Sequence, residues 1–226
     1  DKLYFLDRVN NQVWKYMPTP DGKYTQIAPY FETGNGPDLS GALDFVIDGK
    51  DDEATQIICT VIEDFEALHI SSNIYFKHVL DLESDLNILE DKIESYLLDK
   101  AKALFKDLTD KSDNVVLHGD LHHDNILSSE NTWKAIDPHG YIGPKAFEVG
   151  AMLRNPYDCF PTDLSLEEVI RRRRNILHSE LSFAPWEIDG WLFGYTMIAT
   201  GWSVKDHDEV PAKHMDIIKL LYQFMG

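Results

Sequence analysis

Two cysteines, Cys59 and Cys159, are too few for a disulfide framework, so the fold must be held by an apolar core. No apolar run approaches the length of a membrane span, and no basic-then-apolar leader stands at the start, so a cytoplasmic protein is expected. Positive charge is also scarce. Lys and Arg number 21 against 39 Asp and Glu, a formal charge of −18, which makes nucleic acid and anionic membranes poor partners. Such a surface favours solubility and would draw a cationic small molecule. There is no internal repeat and no low-complexity tract. What is present is ordinary for a globular protein: 226 residues, 43% hydrophobic and 27% charged, enough to bury a real core as one domain or slightly more.

The densest signal is VVLHGDLHHDN, Val115 to Asn125, followed by WKAIDP ending in Asp137 and Pro138. An apolar strand, Asn114 to Leu117, feeds a loop bearing Asp120. Asn125 follows five residues on, and after the strand-like Trp133 to Ile136 a second aspartate closes a hairpin. His118, Asp120, Leu121 and Asn125 match the His-x-Asp-Leu-x-x-x-Asn order of a phosphotransfer loop, with Gly119 at the x position. That chemistry needs a carboxylate to orient a hydroxyl and take its proton, and oxygen ligands to hold Mg²⁺ against phosphates. Asp120 is expected to be the base. Asn125 would be a neutral metal ligand and Asp137 the anionic one. His122 and His123 are expected to pack or hydrogen-bond beneath the loop.

The chain here resembles the aminoglycoside phosphotransferase superfamily, most closely its streptomycin and hydroxyurea kinase branch. LHGDLHHDNIL and WKAIDPHGYIGPKAFEVGAMLRNP carry the resemblance, with GKDDEATQIICTVIEDFEALH upstream and GWSVKD downstream, so it covers about Gly49 to Lys219. The resemblance implies an α+β, protein-kinase-like fold, ATP and Mg²⁺ as co-substrates, and transfer of the γ-phosphate to a hydroxyl of a small molecule. An aminoglycoside or hydroxyurea-type antibiotic is the acceptor it suggests. Glu148 falls where the family carries an acidic residue in a structural role. Trp186, Glu187, Asp189, Asp206, Asp208 and Glu209 fall in the lobe that holds the acceptor and are candidates for a substrate-facing wall. Gly119 stands where eukaryotic protein kinases carry an arginine that senses a phosphorylated activation loop, and Pro138 and His139 follow Asp137 in place of the movable Phe and Gly, so constitutive activity is expected.

The N-terminal part departs from the pattern. Gly34, Asn35, Gly36 and Pro37 make a weak loop signal, and neither Lys2 nor Lys15 follows a glycine-rich loop. Leu3 to Leu6 and Gln12 to Met17 read as a hairpin, broken by Pro18, Pro20, Asp21 and Gly22. Residues 1–22 are therefore expected to be the last strands and hinge of an incomplete N-terminal β lobe, 23–50 an unassigned connection or insertion, and 51–226 the catalytic and substrate-binding lobe. The chain is expected to begin inside a kinase domain.

From Asp51 onward the pattern is mainly helical. Ala54, Ile57, Ile58, Val61, Ile62, Phe65 and Leu68 recur at helical spacing behind Asp51, Asp52 and Glu53, while Leu86 to Leu104 reads as one long helix. Ser165 and Glu168 form a capping box, and helices are expected over Trp186 to Trp202 and Pro211 to Phe224. Arg171 to Arg174 point all round their helix and are expected to be solvated or salt-bridged. Two other functions use the same residues. A metal-dependent phosphoesterase would gather His118, Asp120, His122, His123 and Asp137 around two metals. A nucleotide-binding pseudokinase would follow from the absent phosphate loop and lysine.

Overall fold

The structure is a computed structural model that describes strands at 3–7, 12–18 and 24–32, and residues 49–64, 76–109, 114–129, 132–156, 160–161 and 163–226. Gly34 to Pro37, Lys2, Phe65, Leu68 and Cys159 lie outside the described residues.

Three antiparallel strands open the chain: β1 (Leu3–Asp7), β2 (Gln12–Pro18) and β3 (Tyr24–Glu32), in the order β1-β2-β3. The first two form the expected hairpin, with Phe5 opposite Trp14. The third was not anticipated. Pro29 argues against a strand because it cannot donate to a ladder, yet proline is accepted on edge strands and beside bulges. Here β3 is at the edge, and the register shifts between Val13 and Trp14, where Trp14 faces Pro29.

Helix α1 (Asp51–Asp64) begins with three acidic residues, which suit the positive end of its dipole. It buries Ala54, Ile58, Val61 and Ile62, positions that share one helical face. Cys59 is also buried there, and burial with the nearby Glu180 and Glu63 pushes its thiol up to about 12.

The expected long helix over 86–104 is instead two pieces. A 3₁₀ turn (Val79–Leu82), the single-turn α2 (Glu83–Leu86) and a second 3₁₀ turn (Asn87–Leu89) precede α3 (Ser95–Thr109). The break passes through Asp91, whose φ of 61° is left-handed and ends a right-handed run. Leu86, Leu89 and Leu97 are all fully buried, so the apolar spacing continues across the interruption.

Strands β4 (Lys77–His78), β5 (Asn114–Leu117) and β8 (Tyr141–Pro144) form a small mixed sheet with β8 central. Between β5 and β8 runs the hairpin of β6 (Ile126–Ser129) and β7 (Thr132–Ala135), with Ile126 opposite Ala135. A 3₁₀ segment (Lys145–Met152) follows. Helix α4 (Leu166–Glu180) starts at the expected capping box, the Ser165 hydroxyl accepting from the Glu168 amide while the Glu168 carboxylate accepts from the Ser165 amide.

Helix α5 (Pro185–His207) is the axis of the molecule: every residue from Ile188 to Gly201 is buried. A helix apolar on all sides has to sit inside others, and α5 packs on α3, on α6 (Ala212–Met225) and on the 3₁₀ segment 145–152. Gly150 makes the last contact close. A Cβ there would lie 2.5 Å from Tyr195 Cβ, so the missing side chain lets Tyr195 of α5 reach the loop after β5.

The four arginines of α4 are all ion-paired: Arg171 with Glu167, Arg172 with Asp52, Arg173 with Asp51 and Arg174 with Asp189. All four are thus salt-bridged, as expected, and Arg173 is in addition fully buried. The Asp51 carboxylate neutralises it, and its Nη1 donates to the carbonyls of Met152, at 2.9 Å, and Asn155.

Candidate phosphotransfer site

The loop from His118 to Asn125 leaves β5 and enters β6, and each backbone turn in it has an identifiable support. His118 Nδ1 accepts from the Asp120 amide at 3.3 Å, which leaves its Nε2 to donate to the Ile136 carbonyl at 2.8 Å. Burial pushes this imidazole down to about 4, so it is the neutral form that bridges the loop to the end of β7. The His118 carbonyl in turn accepts from the amides of His139 and Gly140 at 2.8 and 3.2 Å. Glu148, 2% exposed, receives the amides of His118 and Gly119 on its two oxygens, the support role expected of it. Burial outweighs those two hydrogen bonds and raises its carboxyl to about 7.

Gly119 has its own physical reason. Its φ is 81°, and a Cβ would meet Tyr141 Cδ2 at 2.4 Å, so an arginine cannot stand here.

Asp120 is held by residues that the motif does not contain. Its Oδ1 accepts from Arg154 Nη2 at 2.9 Å and from the Tyr195 hydroxyl at 2.7 Å, a hydroxyl that also lies 3.1 Å from the Gly119 carbonyl. His122 Nε2 and His139 Nε2 stand 3.4 and 3.7 Å from Oδ2. Burial works against the charge on Asp120, but His122, Arg154 and the Tyr195 hydroxyl outweigh it and hold the carboxyl well below the usual range. Asp120 is therefore an anion at any physiological pH.

Asn125 lies across the loop, its Nδ2 donating to the Asp120 carbonyl at 2.9 Å and lying 3.3 Å from His122 Nε2. Its amide oxygen is left for another ligand. The Asn125 carbonyl accepts from the Ile136 amide at 2.9 Å, which sets Asn125 and Asp137 at the same end of the β6–β7 hairpin. Asp137 is exposed, with a left-handed φ of 59°.

His122 caps the short 3₁₀ turn His123–Asn125 through Nδ1. Burial opposes protonation of His122, yet the Asp120 and Asp124 carboxylates raise its pKa above the usual value. His123 packs fully buried, and neither ring nitrogen has a partner among the described residues; burial, Arg173 and His122 lower its pKa well below the usual value.

The six wall candidates do not share one surface. Trp186 and Glu187 sit at the start of α5 and Asp206 to Glu209 at its end, about 30 Å away at 1.5 Å per residue. Glu187 accepts from the Ala184 amide, and Asp189 is buried with its oxygens on Arg174 and His178. Asp208 pairs with Lys92, while Trp186, Asp206 and Glu209 are exposed. The face of α5 that reaches Asp120 is its middle, at Tyr195. Trp202 lies next along it, 5.7 Å from the Tyr195 ring and 6.2 Å from that of His139, its indole donating to Asp85.

Arg154 and Tyr195 went unread in the sequence, although each leaves a trace. Arg154 is a charge set in the apolar stretch GAMLRNP, and Tyr195 carries a hydroxyl inside WLFGYTMIAT, where every neighbour is buried. The ligand set of a dinuclear metal centre is not gathered: among the described residues no three His, Cys, Asp or Glu side chains form a metal-binding group. The nitrogens of His118 are also both engaged with the backbone.

Comparison with known proteins agrees with this architecture. The profile of the family described as aminoglycoside/hydroxyurea antibiotic resistance kinase matches residues 40–207. A streptomycin 3''-kinase of Klebsiella pneumoniae is 32% identical over 99 residues, 40% of this chain and 35% of that protein. A methylthioribose kinase of Geobacillus thermodenitrificans is 34% identical over 104 residues, 43% of this chain and 24% of that protein. The chain thus spans about a third or less of the length of these relatives. A choline/ethanolamine kinase family protein from Mesorhizobium loti shares the fold at 12% identity, with a TM-score of 0.54 over 92% of this chain and 72% of that one. The fold is the α+β, kinase-like one that was expected.

Proposed function

The chain belongs to the aminoglycoside/hydroxyurea antibiotic resistance kinase family, and on that premise we propose that it carries the catalytic lobe of an ATP-dependent phosphotransferase acting on a hydroxyl of a small molecule. The observation that carries this reading is the Asp120 carboxylate, anionic and fixed at the head of the loop, with Asn125 and Asp137 at the adjoining end of the hairpin. The three strands at 3–32 fit the β lobe that covers a nucleotide.

Asp120 accepts a hydrogen bond from the acceptor hydroxyl and aims its oxygen. Because His122 and Arg154 depress its basicity, Asp120 takes the proton late, as the new O–P bond forms and the bond from the γ-phosphorus to the bridging oxygen of the departing ADP breaks; orientation is its larger contribution. Such a division suits a loose transition state, in which positioning and electrostatics supply most of the catalysis. Glu148 and His118 keep the loop rigid.

The donor set fits Mg²⁺. The Asn125 amide oxygen and the Asp137 carboxylate are hard oxygen ligands, and Asp137 makes no ion pair or hydrogen bond among the described residues. One carboxylate with one neutral oxygen is what Mg²⁺ takes from a protein when phosphates and water complete its shell. When bound, the ion supplies positive charge to the phosphate chain.

The acceptor is an antibiotic of the streptomycin or hydroxyurea kind in this reading, and the net charge of −18 favours a cationic one. Incubating the full-length protein with γ-labelled ATP and Mg²⁺ against streptomycin, hydroxyurea, further aminoglycosides and methylthioribose tests it. A labelled antibiotic is the expected product. Label on methylthioribose alone would move the role from resistance to metabolism, and label on none would remove the reading.

A further inference from the structure

The two oxygens of Asp120 have unequal surroundings. Oδ1 takes two well-formed hydrogen bonds, from Arg154 at 2.9 Å and Tyr195 at 2.7 Å. The nearest donors to Oδ2, His122 and His139, stand at 3.4 and 3.7 Å, beyond the range of about 2.7–3.2 Å for a good N–H···O bond. A carboxylate turns easily about its last bond, since that torsion is broad. Two donors on one oxygen stop the rotation and leave the other oxygen with only the longer contacts to His122 and His139, and so with lone-pair capacity for a hydroxyl.

Arg154 is itself fixed. Arg173 donates to the carbonyls of Met152 and Asn155, which bracket position 154, and the Asp51 carboxylate holds Arg173 from the start of α1. The guanidinium of Arg154 also lies 5.5 Å over the Tyr195 ring, so the two donors brace each other. A buried ion pair, a bracketed backbone and a charged side chain thus run in series from α1 to Asp120.

We propose that Arg154 is the positioning residue of the phosphotransfer site: with Tyr195 it engages Oδ1 of Asp120, so that Oδ2 alone meets the acceptor hydroxyl. Its positive charge also offsets the carboxylate where the anionic phosphate chain must approach. The inference rests on Asp120 being the acceptor-facing carboxylate, and its test separates the two claims.

ADP release by the full-length protein is followed with Mg²⁺, ATP and streptomycin for Arg154→Ala, Arg154→Lys, Tyr195→Phe and Asp120→Asn. Arg154→Ala lowers kcat on the order of 10²-fold, the cost of a misaligned reacting group. The KM for ATP stays within about twofold, because the loss is confined to the transition state. Added guanidinium restores part of the rate, and Arg154→Lys falls between the two. Tyr195→Phe removes one hydrogen bond without changing shape and lowers kcat roughly tenfold. Wild-type kcat in Arg154→Ala beside an inactive Asp120→Asn overturns the positioning role and leaves Asp120 in place. Full activity in Asp120→Asn overturns both. Should Arg154→Ala fail to fold, Tyr195→Phe decides, since an unchanged kcat there contradicts the two-donor clamp.

Discussion

Replacing Glu148 by glutamine sets the stability of the fold against the rigidity of the catalytic loop. The Glu148 carboxylate is 2% exposed and accepts the amides of His118 and Gly119. Burial raises its pKa from the ordinary 4.5 to about 7. A carboxyl whose folded pKa lies above its unfolded one binds more protons when folded. Its contribution to stability is therefore present at low pH and is lost as pH climbs from 4.5 through 7. Integrated between pH 5 and 8, this loss is roughly 2–3 kcal/mol. Glutamine has no such slope. Relative to wild type, Glu148→Gln should gain stability by that amount across the interval, seen as a relative shift of roughly 5–10 °C in melting temperature for a domain of this size. His118 and His214, both pushed down to about 4 by burial, add an opposite slope, but the difference between the two proteins cancels it. Activity should move the other way. The glutamine amide presents a donor to one of two backbone N–H groups, leaves it unsatisfied, and loosens the loop. Thermal melts of both proteins at half-unit pH steps are the assay. A difference in melting temperature that stays flat from pH 5 to 8 would refute the reasoning.

Three further outcomes are expected. Arg173→Met strands the Asp51 carboxylate in the interior and should destabilise by about 3–5 kcal/mol, read by denaturant titration; a loss under 1 kcal/mol would mean that the pair is not desolvated. Gly119→Ala places a Cβ at 2.4 Å from the Tyr141 ring in a left-handed backbone and should cost about 1–3 kcal/mol, with Tyr141→Ala recovering only the steric part in a double-mutant cycle. Asp137→Ala and Asn125→Ala should both weaken Mg²⁺-dependent binding of a non-hydrolysable ATP analogue, Asp137→Ala the more because it removes a charge from the ion's shell; calorimetric titrations with unchanged metal dependence in both would contradict the ligand assignment.

The loop was legible because its chemistry is local. Asn125 follows Asp120 by five positions, and the hairpin that returns Asp137 to them is only as long as two short strands, so the order and spacing of the motif pointed to the geometry. The helices were legible wherever a cap or a one-sided stripe marked them, as at Ser165 and Asp51. Residues 86–104 misled because apolar periodicity records burial and is blind to one left-handed residue, Asp91. Strand β3 falls in a stretch that the sequence pattern leaves unassigned; Pro29 speaks locally against a strand, and its tolerance depends on lying at a sheet edge, a tertiary fact. Arg154 and Tyr195 reach Asp120 from 34 and 75 residues away. Only the packing of α5 on Gly150 and the bracketing of position 154 by Arg173 bring them there, and no local pattern encodes that meeting. The six wall candidates were grouped by the lobe they fall in, and they sit at the two ends of α5, a helix length apart.

In the proposed reaction Asp120 directs phosphate to an acceptor hydroxyl. Steady-state transfer from γ-labelled ATP by Asp120→Asn, paired with a binding titration of Mg²⁺ and ATP on the same protein, tests it most directly. The expected result is a kcat lower by about 10²–10⁴-fold, the usual contribution of a positioned base, with nucleotide affinity essentially unchanged. An Asp120→Asn protein that transfers phosphate at the wild-type rate would contradict it.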